Sequence, residues 1–357
     1  MTSSKRILTV VGARPQFIKA APLSKVLRAR HTELLVHTGQ HYDNGMSNVF
    51  FDELAIPAPD VNLGIGSGTH AEQLSAMLEP LERLMLEQRP DLILVYGDTN
   101  STLAGALAAA KLNLPIAHVE AGLRSYNRAM PEEINRVLTD HVSRWLLCPT
   151  QEAVNNLAKE GIKEGVTVTG DIMVDAVLQN VDRARITSTV RAQCGLQPNQ
   201  PYLLATIHRP ANTDVPAHLT QIMQAFAALE YPVVFPVHPR TRKSLAALDL
   251  YTATHVRLID PVGYLDMLAL LDGAALVVTD SGGLQKEAYL LKRPCVTVRT
   301  ETEWVETVSS GWNLLSEPTV ESIRHAVQHM LTHVPAVHPD FYGDGTAAQQ
   351  IVAALES

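Results

Sequence analysis

Residues 7–15 read Ile7-Leu8-Thr9-Val10-Val11-Gly12-Ala13-Arg14-Pro15. An unbroken, mostly apolar run of this length is a strand buried on both faces. Glycine permits a tight turn out of it, and proline suits the first position of a helix, where its missing N–H costs nothing. Ile18 to Leu27 continue that helix. The unit recurs: Leu34-Leu35-Val36 is a second strand, and Leu92-Ile93-Leu94-Val95-Tyr96 a third, followed by an Ala-rich helix over Leu103 to Leu112. Ile116-Ala117-His118-Val119 precedes a helix opened by Pro131 and running through Trp145. Buried strands alternating with helices make parallel sheets covered on both faces.

The pattern restarts further on. Tyr202 to Ile207, Val233 to Phe235, Ala275 to Thr279 and Cys295 to Val298 read as strands, with helices over His218 to Leu229 and Leu284 to Leu291. A polar stretch from Gln179 to Gln200 separates the halves. At 357 residues the chain exceeds what one hydrophobic core usually serves. The expected fold is therefore α/β, with two doubly wound, Rossmann-like domains over 1–180 and 181–345. Their strand C-termini and following loops would surround one cleft.

Composition narrows the partners. Hydrophobic residues at 46% and charged residues at 18% are the balance of a soluble globular protein. A formal net charge of −8 argues against a general grip on nucleic acid or anionic lipid. An anionic small substrate stays open, because local Arg, Lys and helix ends bind phosphate inside an acidic protein. No apolar stretch approaches the ~20 residues of a membrane span. The run Ile7 to Val11 after Lys5-Arg6 is too short for a signal peptide. Cys148, Cys194 and Cys295 are widely spaced and odd in number, which fits buried thiols in a reducing cytoplasm.

Three strand-to-helix junctions are loaded with polar residues. In Gly12-Ala13-Arg14-Pro15-Gln16-Phe17-Ile18-Lys19, Arg14 at the helix start and Lys19 one turn on suit an anion; an ordinary turn with a solvated Arg is the plain alternative. In Tyr96-Gly97-Asp98-Thr99-Asn100-Ser101, Asp98 follows an apolar strand, where capping a helix is the commoner task. In Thr279-Asp280-Ser281-Gly282-Gly283-Leu284-Gln285-Lys286-Glu287, Ser281, Gly282 and Gly283 let backbone N–H groups approach a diphosphate. Glu287, a turn inside, is placed to accept from ribose hydroxyls. Glu120 directly follows a buried strand. Glu132 lies in the first turn of a helix, where it suits the dipole and has Arg136 at i+4.

Nothing here is a dinucleotide fingerprint: Gly64-Ile65-Gly66-Ser67-Gly68 follows no strong strand, and there is no Walker A sequence. No nicotinamide, ATP or other cofactor is expected. Nor is a metal: His37 and His41 are four apart but flank a loop rather than sharing a helix face. His208 ends a buried strand in the second half, and His238-Pro239-Arg240 follows another.

These segments, in this order, resemble the non-hydrolysing UDP-N-acetylglucosamine 2-epimerases. Gly-Ala-Arg-Pro at 12–15, Gly-Asp-Thr at 97–99, His-Val-Glu-Ala-Gly-Leu-Arg at 118–124 and Pro-Glu-Glu-Ile-Asn-Arg at 131–136 match in the first half. His208-Arg209, Pro236-Val237-His238-Pro239, Asp280-Ser281-Gly282-Gly283, Gln285-Lys286-Glu287-Ala288 and Tyr342-Gly343-Asp344-Gly345 match in the second. The resemblance implies a glycosyltransferase-B fold, a last helix (346–357) crossing back to the first domain, and a homodimer. It also implies the chemistry: UDP is eliminated from C1 to leave a 2-acetamidoglucal, then re-added with C2 inverted. Asp98, Glu120 and Glu132 match the family's acidic trio; their crowding would raise one another's pKa and let one carry a proton. His208 matches its essential histidine and Glu287 its ribose-binding glutamate. Arg14, His208 and the Ser281-Gly282-Gly283 backbone would stabilise the leaving diphosphate, with Lys19, His238 and Arg240 also among the substrate-binding residues.

Departures point to a subgroup. Gln16 and Lys286 stand where the common form has Glu, and Trp304-Val305 replaces an Arg-Pro pair. These features resemble the enzymes acting on UDP-2,3-diacetamido-2,3-dideoxyglucuronate, whose carboxylate would favour a more positive site. UDP-N-acetylglucosamine is the alternative sugar. Gln40-His41-Tyr42-Asp43 resembles the region where relatives bind a second, activating UDP-sugar. A glycosyltransferase of the same fold, a hydrolysing epimerase and a non-catalytic UDP-sugar sensor are the competing readings.

Overall fold

Two fully parallel sheets carry the chain. The computed structural model describes residues 4–40, 58–248 and 253–357, with Arg14 by its backbone alone. Contacts divide the chain into one unit of Met1–Gln179 with Asp340–Ser357 and another of Asn180–Pro339.

In the first unit the strands are β1 (Arg6–Val11), β2 (Thr32–His37), β3 (Val61–Asn62), β4 (Leu92–Tyr96), β5 (Ile116–Val119), β6 (Trp145–Cys148) and β7 (Val166–Val168). Their spatial order is β3-β2-β1-β4-β5-β6-β7. β4 is buried at every position, as its Leu-Ile-Leu-Val-Tyr run requires; each such side chain contributes about 1.5–3 kcal/mol of burial. Leu8, Val10, Ile93 and Val95 pack against Met77 and Leu81 of the His70–Gln88 helix and the small residues of the Asn100–Lys111 helix. A Cβ on Gly105 would lie 3.2 Å from Val10 and Val95, so glycine lets that helix sit close on the sheet. The last helix, Ala347–Glu356, is pinned at its start by the buried Asp175 carboxylate, which accepts from Ala347 N (3.1 Å) and Ala348 N (3.0 Å). Lys5 Nζ bonds the Leu355 carbonyl at its end.

The second unit holds β8 (Leu203–Thr206), β9 (Val233–Pro236), β10 (Val256–Ile259), β11 (Leu276–Thr279), β12 (Cys295–Thr297) and β13 (Asn313–Leu315). They are ordered β10-β9-β8-β11-β12-β13. In both sheets the order reverses beside the unit's first strand, between β1 and β4 and between β8 and β11. At such a reversal the loops leaving the two strands diverge, and ligands bind there. The loops concerned are 12–13 and 97–99 in one unit, 207–209 and 280–281 in the other, where the polar motifs lie.

Of the boundaries that differ from the sequence reading, two bear on the site. The helix opened by Pro131 ends at Val142, and Trp145 begins β6, because Leu146, Leu147 and Cys148 form a buried strand run. The Ala-rich helix starts at Asn100, three residues early, because Thr99 caps it by accepting from Thr102 N.

Candidate active site

At the first reversal, Gln16 joins the two loops. Its Oε1 accepts from Gly12 N (2.8 Å) and Ala13 N (3.1 Å), while its Nε2 donates to Tyr96 O (2.9 Å) and Thr102 Oγ1 (3.0 Å). Gln16 is 1% exposed, and these four bonds serve the two loops. An ionised Glu there could not donate to Tyr96 O. Arg14 is the first residue of the Arg14–Arg28 helix and Pro15 the second; the Arg14 side chain lies outside the described structure.

Because Thr99 takes the cap, the Asp98 carboxylate is released for another partner: Arg136 Nη2 donates to its Oδ2 at 2.6 Å. Glu120 is paired with Lys19. The expected crowding of acids is thus answered by a cation on each of these two. Glu120 is 7% exposed and has φ of +73°, a left-handed conformation that non-glycine residues rarely adopt. Such strain costs of order 1–3 kcal/mol and persists only where the surroundings over-determine it. Gly97, with φ of +61°, fits between these groups: a Cβ there would lie 3.2 Å from Glu120 Oε2 and 3.3 Å from Lys19 Nζ.

The Pro131–Val142 helix supplies the other acids. Glu132, Asn135, Arg136 and Asp140 lie on one stripe at i, i+3, i+4 and i+8. Asn135 Nδ2 donates to the Asp98 carbonyl (2.9 Å), so the stripe faces the Asp98 loop. Arg136 does not take Glu132 as its i+4 partner. Its Nη1 goes to the buried Glu133 (2.9 Å) and its Nη2 to Asp98. Glu133 also accepts from Ser125 N and Tyr126 N, both at 2.9 Å. Burial opposes its charge, but these backbone donors and Arg136 outweigh that and hold it below the usual range. Glu133 is thus held by the fold, whereas Glu132 is half-buried.

At the second reversal Asp280 is fully buried. It accepts from His208 N (3.0 Å), Arg209 N (3.0 Å) and Asn212 Nδ2 (3.0 Å), and His208 Nδ1 lies 3.3 Å from it. His208 is exposed and oriented by that carboxylate. Ser281 caps the Gly282–Leu290 helix, placing Gly282 and Gly283 in its first turn and the buried Glu287 in its second. His238 caps the Pro239–Ala247 helix, accepting from Arg240 N at 3.2 Å, and Arg240 pairs with Asp214; both are exposed. Lys286, 1% exposed, lies 4.1 Å from the centre of the Trp304 ring. Two sequence departures far apart in the chain are therefore one cation–π contact.

Among the described residues no group of three or more His, Cys, Asp or Glu is placed to hold a metal ion, and no helix is long and apolar enough to cross a membrane. The three cysteines are buried free thiols, and burial pushes Cys295 up to about 12. His41, Tyr42 and Asp43 lie outside the described residues; Gln40 is buried and accepts from Ser101 N (3.0 Å) and Oγ (2.7 Å). Sequence reasoning missed Asp140 and the supporting roles of Gln16, Arg136 and Asp280, each of which bonds at least one partner distant in sequence.

The family described as UDP-N-acetylglucosamine 2-epimerase matches residues 25–356. A UDP-N-acetylglucosamine 2-epimerase homolog of Methanococcus maripaludis is 49% identical, covering 99% of each chain. The UDP-2,3-diacetamido-2,3-dideoxy-D-glucuronate 2-epimerase of Pseudomonas aeruginosa is 48% identical over 98% of this chain and 99% of its own. The solved structure of Methanocaldococcus jannaschii UDP-GlcNAc 2-epimerase, in complex with UDP-GlcNAc and UDP, superposes with a TM-score of 0.92 at 42% identity, covering 98% of this chain and 99% of that one. The fold is of the glycosyltransferase-B type, and the chain belongs to the UDP-N-acetylglucosamine 2-epimerase family, isomerases of nucleotide sugars.

Proposed function

We propose that the chain inverts C2 of UDP-2,3-diacetamido-2,3-dideoxyglucuronate. C2 is not next to a carbonyl, so its proton is hard to remove directly. In the proposed course the C1–O bond breaks, UDP leaves with the electron pair, and the C2 proton passes to a carboxylate, leaving a glycal. UDP then returns to C1 while C2 receives a proton on the opposite face. Asp98, Glu120 and Glu132 are the acid/base groups, and His208, Arg14 and the first turn after Ser281 stabilise the diphosphate as its charge develops. Glu287 holds the ribose.

The observation that carries the acid/base assignment is the strained, buried Glu120 paired with Lys19. Strain of this kind clusters where function requires it. The choice of sugar is supported by the Lys286–Trp304 contact, which joins two of the three subgroup departures, and by the 48% identity to the P. aeruginosa enzyme. UDP-N-acetylglucosamine is the second reading, favoured by the complex of the M. jannaschii relative. We place the enzyme in the cytoplasm as a homodimer. Ile134 and Leu138, one turn apart and 40% and 43% exposed, supply an apolar stripe for a second copy.

Proton NMR in D2O with each UDP-sugar tests the reading. Deuterium entering C2 with a manno-type product is expected, faster for the diacetamido uronate. Faster exchange with UDP-N-acetylglucosamine would reverse the substrate, and binding without exchange would remove the mechanism.

A further inference from the structure

The carboxylate of Asp140 gathers both loops that present the acids. His118, fully buried on β5, places Nδ1 2.6 Å from Asp140 Oδ1 and Nε2 2.7 Å from the Gly97 carbonyl. The Gly97 carbonyl can only accept, so Nε2 donates to it while Nδ1 faces the carboxylate. His118 thereby ties Asp140 to the loop carrying Asp98. The other oxygen of Asp140 accepts from Gly122 N (3.1 Å) and Arg124 Nη1 (2.7 Å). His118 and Gly122 flank Glu120, so Asp140 grips the left-handed turn on both sides of it. Gly122 is itself at φ +82°, and a Cβ there would lie 2.4 Å from the Ala153 carbonyl, so only glycine fits that turn. Asp140 sits on the same stripe as Glu132, Asn135 and Arg136, the last two of which hold Asp98.

We infer that Asp140, acting through His118 and the Gly122 amide, is a positioning residue that sets Asp98, Glu120 and Glu132 in fixed mutual geometry. The inference rests on reading those three as the acid/base groups. The groups facing Asp140 are His118 from β5, the Gly122 amide and Arg124 from the following turn; Glu160 binds the far side of Arg124 through two bonds of 2.7 and 2.8 Å. Burial opposes the charge of Asp140, but His118 and Arg124 outweigh it and keep its carboxyl below the usual range. A carboxylate so satisfied holds one geometry, and misplacement of reacting groups by about 1 Å costs roughly 10²-fold in rate.

Asp140→Asn keeps the shape but sets an amide N–H₂ against a donor. Its kcat for C2 exchange should fall at least ~10²-fold, with KM within about twofold and UDP affinity unchanged, because the Asp140 carboxylate bonds none of the residues assigned to the nucleotide. Glu160→Gln perturbs the same network through Arg124 alone and leaves the bonds of Asp140 to His118 and Gly122 in place, so it should keep wild-type kcat while melting earlier. A folded Asp140→Asn enzyme with kcat near wild type, or a Glu160→Gln enzyme with an equal loss, would overturn the inference. If Asp140→Asn does not fold, His118→Gln carries the same test and the same criterion. Asp98→Asn and Glu120→Gln are assayed alongside. Should they retain turnover, the acid/base reading fails; should they lose it while Asp140→Asn keeps it, only the positioning role fails.

Discussion

Gly97→Ala separates the cost of backbone strain from the cost of disturbing the acids. Gly97 has φ of +61°, and an L-residue there pays about 1–2 kcal/mol. The new Cβ would also stand 3.2 Å from Glu120 Oε2 and 3.3 Å from Lys19 Nζ. An ordinary contact needs about 3.5 Å, so the ion pair must retreat by roughly 0.3 Å. If about 1 Å of misplacement costs roughly 10²-fold, 0.3 Å costs about fourfold in turnover. Gly161 is the control: it lies in the same unit at φ of +83° with nothing within 4 Å of an added Cβ. Gly161→Ala should therefore melt earlier by the same few degrees yet turn over like wild type. The assay is thermal melting with C2 deuterium exchange on both variants. Equal turnover in the two, whether reduced or not, would refute the claim that Gly97 is glycine for the sake of Glu120 and Lys19.

The neighbours Glu132 and Glu133 should part company. Glu132→Gln is expected to change stability by no more than about 0.5 kcal/mol while cutting turnover at least ~10²-fold. Glu133→Gln, which weakens the acceptor for Arg136, Ser125 and Tyr126, should lose about 1–3 kcal/mol on denaturant unfolding. His37 accepts from Gly39 N at 2.7 Å and meets the Phe17 ring at a tilt of 52°, and burial pushes it from 6.5 down to about 4. The neutral ring is the folded form, so its contribution is complete above pH 6.5 and is lost as pH falls towards 4; an NMR titration with a midpoint near 6.5 would contradict this. Lys286→Glu combined with Trp304→Arg should shift the kcat/KM ratio towards UDP-N-acetylglucosamine by about tenfold, the scale of 1.4 kcal/mol. No change in the ratio would separate this pair from sugar choice.

The alternation of apolar strands and helices determined the two parallel sheets, because a run such as Leu-Ile-Leu-Val-Tyr has no stable place except between two covered faces. Glycines, prolines and acids at strand ends likewise marked Asp98, Glu120, His208 and the turn at 281–283 before any coordinates. What local sequence could not decide was partnership. Whether Asp98 caps a helix or meets Arg136 depended on Thr99 winning the cap, a competition between adjacent residues of similar propensity. Whether Arg136 served Glu132 or Glu133 depended on which carboxylate the fold buried. The joining of Lys286 to Trp304, and of His118 to both Asp140 and Gly97, required segments that meet only when the sheets are assembled. Periodicity reports which face of an element is buried, an average over many residues. A hydrogen bond depends on a few tenths of an ångström between two particular atoms, and only the tertiary structure sets that distance.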